Sequence, residues 1–363
     1  MMLIIRSLTG LFILCLISIL SMLLLGHIID SNVISYTLRD QINHSDALVM
    51  DMRTGVQLSL LHSIDSDDIT GRSPIWSNDG ERVSFWTFQN RRDAFVHEIQ
   101  FTPYSIQNLT INQLYSSPPI YSVTHNQLFA VAPLFIQSPI YLVTDDNPQG
   151  DIIIESSQVV PVWSPDGTKI AYTDTYRPPD GEDAADIDSG IDFNEIDIYV
   201  FDINTNETIN LTLNTPLSGN PLWLPDGSTI LFVATDNTVR HLYQIDLTTY
   251  AIEQLEGELS LGSQPILSPD GRYLAYSATV NSGTQSDVEL MLFDLLTHQE
   301  RNLSNSALYD LAPAWSLDST QLAFISRRHE SQDEIYVVNI PSGQVRRLTF
   351  SAEDEADVSW RPR

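Results

Sequence analysis

The sequence predicts an all-β protein built from a short unit that recurs along the chain. Three observations support this prediction. A motif close to Pro-x-Trp-Ser-Pro-Asp-Gly recurs about every 45 residues, each complete copy is followed by a short apolar strand, and the two ends of the chain carry incomplete units that complement each other. Repeats of roughly 40–50 residues with several short strands per unit are typical of β-propeller blades.

The motif is most complete at residues 161–167 (PVWSPDG). Other copies occupy residues 74–80, 221–227, 265–271 and 313–319, with a degenerate copy at 119–123 and a truncated one at 358–362. Aligned on the tryptophan position, the copies fall at residues 76, 121, 163, 223, 267, 315 and 360, so the intervals are 45, 42, 60, 44, 48 and 45 residues. One interval is longer than the rest, which indicates an insertion.

Each unit is predicted to contain four strands. In the Pro-Asp-Gly turn, proline presets φ, aspartate bonds the local backbone and glycine accepts a positive φ. The turn joins the first two strands, and a second pair follows, as in residues 334–340 and 344–349. Because the turn aspartates and the tryptophans recur in nearly every unit, we interpret them as structural; they are Asp79, Asp166, Asp226, Asp270 and Asp318, and Trp76, Trp163, Trp223, Trp315 and Trp360.

The chain ends predict a closed ring. Residues 47–61 form the two outer strands of a unit, residues 33–38 supply its second strand, and the last residues of the chain supply an innermost strand. Joining both ends in one blade removes two free sheet edges. The sequence therefore predicts a seven-bladed β-propeller with terminal strand closure, with six blades as the alternative if the N-terminal strands do not form a full blade.

The repeats resemble those of the TolB-like propeller family. The resemblance lies in the Trp-Ser-Pro-Asp-Gly turns and in outer strands such as Ile-Tyr-Val-Val at 335–338 with Arg-Arg-Leu-Thr at 346–349, and it covers residues 33–363. Related repeats occur in the propellers of prolyl oligopeptidases and tricorn-type proteases. The chain lacks the separate N-terminal α/β domain of TolB itself, so the resemblance implies the fold and leaves the function open.

The N-terminal segment predicts a membrane anchor. Residues 7–26 are 20 uncharged, mostly apolar residues preceded by Arg6, which is long enough for a helix across a bilayer. The lone cation favours a cytoplasmic N-terminus. We expect residues 1–6 in the cytoplasm, a single transmembrane helix within 7–29, and the propeller, residues 30–363, on the periplasmic or extracellular side. A cleaved signal peptide is the alternative.

The charge of the chain restricts its partners. It carries 47 acidic and 18 basic residues, a net charge of −29. Such a surface repels nucleic acid and favours cations or a protein with a basic face. The single cysteine, Cys15, excludes an intramolecular disulfide and a cysteine-based metal site.

The long interval contains an acidic insertion at residues 176–197. Within it Asp186, Asp188 and Asp192 alternate around Gly190, a pattern of oxygen ligands that suits calcium. The spacing differs from that of an EF-hand, and a solvated acidic loop is the alternative. No other cofactor is predicted.

The sequence lacks the common hydrolase and nucleotide-binding motifs. It contains no Gly-x-Ser-x-Gly, His-Glu-x-x-His or Gly-x-Gly-x-x-Gly. We therefore expect a non-enzymatic module that binds a protein or peptide. A sensor of a small ligand or calcium is one alternative, and a hydrolase or lyase with a site assembled from several blades is a weaker one. The candidate binding residues precede the motif copies and would reach the channel mouth; they are Arg72, Asn220, Gln264, Asp310 and Asp357.

Overall fold

Every regular element that the structure describes is a β-strand. The structure, a computed structural model, describes residues 32–40, 45–61, 69–89, 93–101, 104–108, 120–121, 128–131, 139–143, 147, 150–155, 161–175, 196–213, 218–236, 239–255, 263–282, 285–306, 308–329 and 332–362. The expected anchor over 7–29 lies outside these ranges. Within them, no helix has the length and apolar character needed to cross a membrane.

The strands are short and follow one another closely along the chain. In order they are β1 (Val33–Arg39), β2 (Ser45–Asp51), β3 (Gln57–Ser59), β4 (Ile69–Trp76), β5 (Arg82–Gln89), β6 (Asp93–Phe101), β7 (Tyr104–Asn108), β8 (Ile120–Tyr121), β9 (Leu128–Val131), β10 (Ile140–Val143), β11 (Asp151–Ile154), β12 (Val162–Trp163), β13 (Lys169–Thr175), β14 (Ile196–Asp202), β15 (Glu207–Asn210), β16 (Ser218–Trp223), β17 (Thr229–Asp236), β18 (Val239–Asp246), β19 (Ile252–Gln254), β20 (Ile266–Leu267), β21 (Tyr273–Ser282), β22 (Gln285–Asp294), β23 (Gln299–Asn302), β24 (Asp310–Trp315), β25 (Gln321–Ser326), β26 (Glu334–Asn339), β27 (Val345–Arg347) and β28 (Asp354–Trp360).

The described strands form seven four-stranded antiparallel sheets. Six are simple meanders of consecutive strands, β4–β7, β8–β11, β12–β15, β16–β19, β20–β23 and β24–β27. The remaining sheet has the order β28-β1-β2-β3, so it joins the last strand of the chain to the first three. The fold is an all-β propeller, as the repeat predicts.

The Pro-Asp-Gly turns are held by their aspartates. Asp166 Oδ1 accepts hydrogen bonds from the Ser164 hydroxyl at 2.6 Å and from the Thr168 amide at 3.0 Å. The bond from Ser164 is the main cause that lowers the pKa of Asp166 below its ordinary value. The same serine–aspartate bond recurs at Asp79, Asp270 and Asp318. The structural interpretation of these aspartates is confirmed.

The motif tryptophans join neighbouring sheets. The indole N–H of Trp360 donates to the carbonyl oxygen of Ala314 at 2.8 Å. Trp315 donates to Ile266 at 3.4 Å, and Trp223 donates to Val162 at 3.2 Å. Each acceptor lies one residue before the motif aromatic position of the preceding unit. The recurrence confirms that these indoles pack between blades.

Apolar side chains fill the spaces between neighbouring sheets. One buried cluster includes Tyr36 and Met50 of the terminal sheet together with Ile335 and Val337 of β26. Comparable clusters lie at five more junctions between sheets. The core of the molecule is therefore divided among the blade interfaces, as in other propellers.

Two faces of the propeller follow from the strand directions. Asp310 at the start of β24 pairs with Ser326, which pairs with Glu334 at the start of β26. We call this edge of the sheets, where the innermost strands begin, the upper face. The Pro-Asp-Gly turns lie at the opposite edge, which we call the turn face.

Candidate functional site

Carboxylates of the third strand that accept a side-chain hydroxyl recur towards the upper face. The Thr212 hydroxyl donates to Asp197 at 3.0 Å, and the Ser304 hydroxyl donates to Glu289 at 2.6 Å. Each hydroxyl also accepts the amide of the next residue of the third strand. Because the arrangement repeats, we interpret these acids as part of blade structure and look for the site among residues that do not repeat.

A cavity on the turn face is also built from repeated residues. It measures about 560 Å³ and is lined by Asn78, Pro269, Asp270, Leu317, Asp318, Ser319 and Pro362. Asp270 and Asp318 each accept a serine hydroxyl within their own turn. The cavity is therefore explained by the motif turns that meet there.

A group of polar side chains, most of which have no counterpart in the other units, gathers on the upper face around the loop between β25 and β26. We call them the upper-face cluster. It consists of Tyr309, Asp310, Arg327, Arg328, His329, Asp333, Tyr336 and Asp354. The loop belongs to the sheet β24–β27, and Asp354 begins β28 of the terminal sheet, so the cluster spans a junction between two sheets.

Arg328 is held rigidly in this cluster. Its Nη2 lies 3.0 Å from Oδ1 of Asp310, a carboxylate with no solvent exposure. The other oxygen of Asp310 accepts the hydroxyl of Ser306 at 2.7 Å. The guanidinium lies over the rings of Tyr336 and Phe324, 4.9 and 5.3 Å from their centroids. Paired and stacked arginines of this kind present a fixed positive charge.

His329 is oriented by a buried tyrosine. Its Nδ1 lies 2.7 Å from the hydroxyl of Tyr336, and the two rings stack with centroids 5.8 Å apart. Tyr336 is 2% exposed, whereas His329 is exposed. In the tautomer in which Nδ1 donates to the tyrosine oxygen, Nε2 is an acceptor, and it has no hydrogen-bond partner among the residues that the structure describes. That arrangement is the one a general base requires.

Arg327 links the two sheets of the cluster. Its Nε donates to Asp333 Oδ1 at 3.0 Å, and its Nη2 lies 3.6 Å from Oδ1 of Asp354. The Tyr309 hydroxyl donates to the same Asp333 oxygen at 2.6 Å. Burial, followed by this bond to Asp333, raises the pKa of Tyr309 above its ordinary value. Tyr309 therefore keeps its proton at neutral pH and can act as a donor.

The cluster lies in a C-terminal stretch of the sequence that has a small net charge. Residues 301–363 hold seven basic and nine acidic residues, whereas residues 1–300 hold 11 basic and 38 acidic residues. Most of the net negative charge thus comes from residues 1–300. Within the cluster, Arg327 and Arg328 are paired with the carboxylates of Asp333, Asp354 and Asp310.

The structure places the predicted channel-mouth residues in different local settings. Asp310 joins the upper-face cluster. Asp357 has φ +53° and accepts the hydroxyls of Thr37 and Ser73 at 3.0 and 3.1 Å, which ties β28 to β1 and β4. Asn220 has φ +55° at the same position relative to its motif tryptophan, so the left-handed residue is a feature of the innermost strand.

The two remaining predicted residues lie in or before inner strands. Arg72 pairs with Trp86 in the β4–β5 ladder, and Gln264 is exposed ahead of β20.

The predicted calcium ligands Asp186, Asp188 and Asp192 lie outside the described residues, so calcium binding stays a prediction. Across the described ranges, no three His, Cys, Asp or Glu side chains are grouped so that they could hold a metal ion.

No sequence motif singles out His329 as a site residue. The chain has eight histidines, and His329 lies in none of the motif copies. One signal was present: Arg327-Arg328-His329 is a run of three nitrogen-bearing side chains in a chain with 47 acidic residues. It also falls in a strand connection, where site residues concentrate.

Comparison with known proteins finds similar chains among peptidases, a lyase and TolB proteins. Dipeptidyl-peptidase 5 of Porphyromonas gingivalis is 25% identical over 150 residues, 38% of this chain and 22% of that protein. The TolB homologue of Chlorobium chlorochromatii is 28% identical over 136 residues, 38% of this chain and 29% of that protein. The structure of an oligogalacturonate lyase from Vibrio parahaemolyticus matches with a TM-score of 0.61 at 13% identity, over 87% of this chain and 93% of the lyase.

The chain spans between about a fifth and a third of the length of the curated relatives it matches. No family model matches the sequence.

The matches correct one prediction. We expected a non-enzymatic binding or scaffold module, and that prediction is wrong, because the relatives and structural neighbours include peptidases and a lyase. The prediction relied on the absence of hydrolase motifs, and such motifs do not report a site assembled from several blades.

Proposed function

We propose that this chain, a member of the TolB-like β-propeller family, is a lyase whose active site is the upper-face cluster. The observation that carries the proposal is the exposed His329, fixed by buried Tyr336 beside two arginines. The near-complete coverage of the oligogalacturonate lyase supports it, because almost the whole of that enzyme is a fold of this kind. The substrate class that fits is a short sugar chain bearing carboxylates.

The cluster contains the groups that β-elimination needs. A base must remove the proton on the carbon next to the sugar carboxylate, and Nε2 of His329 fills that role. The negative charge that develops on the carboxylate is stabilised by the cations Arg327 and Arg328. The electron pair of the broken C–H bond forms a carbon–carbon double bond, and the bond to the neighbouring glycosidic oxygen breaks. That oxygen takes its proton from Tyr309.

Replacement of His329 tests this role. His329→Asn removes the base, and we expect the rate to fall by about a hundredfold or more, the usual contribution of a general base. The rate is followed through the ultraviolet absorbance of the unsaturated product formed from galacturonate oligomers.

The matched control is His298→Asn, since His298 is also exposed but lies in the β22–β23 turn, stacked on Phe293. It should keep wild-type activity. Wild-type activity in the His329 variant, or no product from the wild-type protein, would contradict the proposal.

A peptidase is the second candidate, and the sequence similarity to dipeptidyl-peptidase 5 favours it. The overall charge of −29 also suits peptides with basic residues. Release of a chromogenic amine from dipeptide substrates distinguishes this candidate, since a lyase leaves such substrates intact.

We further propose a ring of seven blades. The seven four-stranded sheets support this number, as does packing at six junctions between sheets. The junction between β4–β7 and β8–β11 completes the ring. An experimental structure with six blades would refute it.

The N-terminal anchor and the extracytoplasmic location are also proposals, supported by the apolar run at residues 7–26. We expect the full-length chain in the membrane fraction and a chain lacking residues 1–29 in the soluble fraction. Full-length protein in the soluble fraction would contradict the anchor.

A further inference from the structure

We propose that the sheet formed from both chain ends is held closed by a proton bound at Glu355, so that the closure opens in alkaline solution. Glu355 is the second residue of β28 and pairs with Leu38 of β1. It is 1% exposed. Its Oε1 accepts the hydroxyl of Ser351 at 2.8 Å, and its Oε2 has no hydrogen-bond partner among the described residues.

A second buried carboxylate lies across the same junction. Glu334 at the start of β26 is 2% exposed, and its Oε1 accepts a hydrogen bond from Nη2 of Arg347. Its Oε2 also lacks a hydrogen-bond partner in the described part of the chain. The positive charge of Arg347 thus compensates the negative charge of Glu334. No ion pair to Glu355 occurs among the described residues.

The other titratable groups near Glu355 do not supply the missing positive charge. Tyr36 of β1 is buried, and burial together with Glu355, Asp46 and Glu334 raises its pKa, so it stays neutral. Asp46 of β2 can contribute only negative charge. The hydroxyls of Ser351 and Thr349 face Glu355 without a charge. An ionised Glu355 would therefore be a buried, uncompensated anion, which is strongly unfavourable.

The buried position of Glu355 determines how the stability of the folded chain depends on pH. Burial, with the charge of Glu334 added, raises the pKa of Glu355 from 4.5 to about 8. The folded chain therefore holds this proton more tightly than the unfolded chain does. The resulting stabilisation of the folded chain is complete below pH 4.5 and is lost as the pH rises through about 8.

The closure is connected to the upper-face cluster. The Glu355 amide donates to the carbonyl oxygen of Asp333 at 2.9 Å, and the Asp333 amide donates to Asp354 Oδ1 at 2.8 Å. Loss of the Glu355 proton would pull β28 away from the loop that carries Arg327. The effect on catalysis rests on the proposed function, whereas the effect on closure does not.

Thermal unfolding of the full chain at several pH values tests the closure. We expect the wild-type Tm to fall by several degrees between about pH 6 and pH 9.5, a typical effect of one strongly shifted group. Glu355→Gln mimics the protonated side chain, so its Tm should stay level across this range. The control Glu353→Gln, two residues earlier and partly exposed, should follow the wild type.

Parallel curves for wild type and Glu355→Gln would overturn the proposal. Should Glu355→Gln not fold, hydrogen exchange of the wild type gives the answer without a variant. After correction for intrinsic rates, β1 and β28 should lose protection between pH 6.5 and 9 while β17 keeps it. Equal protection at both pH values would overturn the proposal. Neither measurement uses catalytic activity, so a failure here is separate from a failure of the lyase assignment.

Discussion

Single residues in this propeller are constrained by the neighbouring blade as well as by their own turn. Gly271 ends the motif turn of one unit with φ +75°, and a Cβ built there would lie 2.6 Å from Cδ of Pro225 in the preceding unit. Gly343 has a similar φ of +68°, but nothing lies within 4 Å of its Cβ position. A comparison of substitutions at these two glycines therefore separates the cost of a left-handed backbone from the cost of a close contact between blades.

Alanine at these two positions should therefore have different effects. Gly343→Ala carries only the left-handed backbone cost, about 1 kcal/mol, whereas Gly271→Ala adds overpacking against Pro225 for a total of about 2–4 kcal/mol. Denaturant unfolding measures both values. Equal losses would show that Pro225 moves aside freely and that the turns of neighbouring blades are not tightly packed.

The roles of residues that recur from unit to unit could be predicted from the sequence. The roles of residues that occur in only one unit could not. The turn aspartates and motif tryptophans recur at fixed spacing, so their structural roles followed from the pattern. His329 and Glu355 occur once each, and their properties depend on partners from other strands, such as Tyr336 and Ser351. No spacing in the sequence reports that Glu355 lacks a cation, because burial and pairing arise only in the folded chain.

At the scale of the elements, the innermost strands join each blade to the next. The indole of Trp360 in β28 donates to Ala314 of β24. Trp76 in β4 is equally buried, but its indole nitrogen has no acceptor among the described residues. Arg361 lies over the ring of Trp76 instead, 5.4 Å from its centroid.

Phenylalanine substitutions should distinguish these two tryptophans. Both Trp360→Phe and Trp76→Phe lose ring volume, but Trp360→Phe also leaves the Ala314 carbonyl without its donor, which costs about 1–2 kcal/mol more. The free energy of unfolding from urea titration gives the difference. A smaller loss for Trp360→Phe than for Trp76→Phe would rule out the indole bond as a contributor to the closure.

The strand plan was largely predictable, because the hairpins follow the motif turns. The sequence placed 33–38 and 47–61 in the sheet completed by the last strand, and the structure has β1, β2 and β3 there with β28 as the innermost strand. The loop between β25 and β26 was not predictable as a site. Its side chains acquire their roles from Asp310 and Asp354, which come from other parts of the chain.

At the scale of the whole molecule, the upper-face cluster and the strand that closes the terminal sheet lie at one junction between sheets. The C-terminal 63 residues are nearly balanced in charge, and they supply the upper-face cluster and the strand that closes the terminal sheet. The proposed active site and the closing strand thus share the same junction between the sheets β24–β27 and β28–β3.

We propose cleavage by elimination, and the fate of water in the reaction distinguishes elimination from hydrolysis. Purified protein is incubated with galacturonate oligomers in water enriched in oxygen-18, and the products are analysed by mass spectrometry. Elimination adds no water, so we predict unsaturated products whose summed mass equals that of the substrate and which carry no oxygen-18 from the cleavage. Products that each time gain one labelled water would show hydrolysis and contradict the lyase assignment.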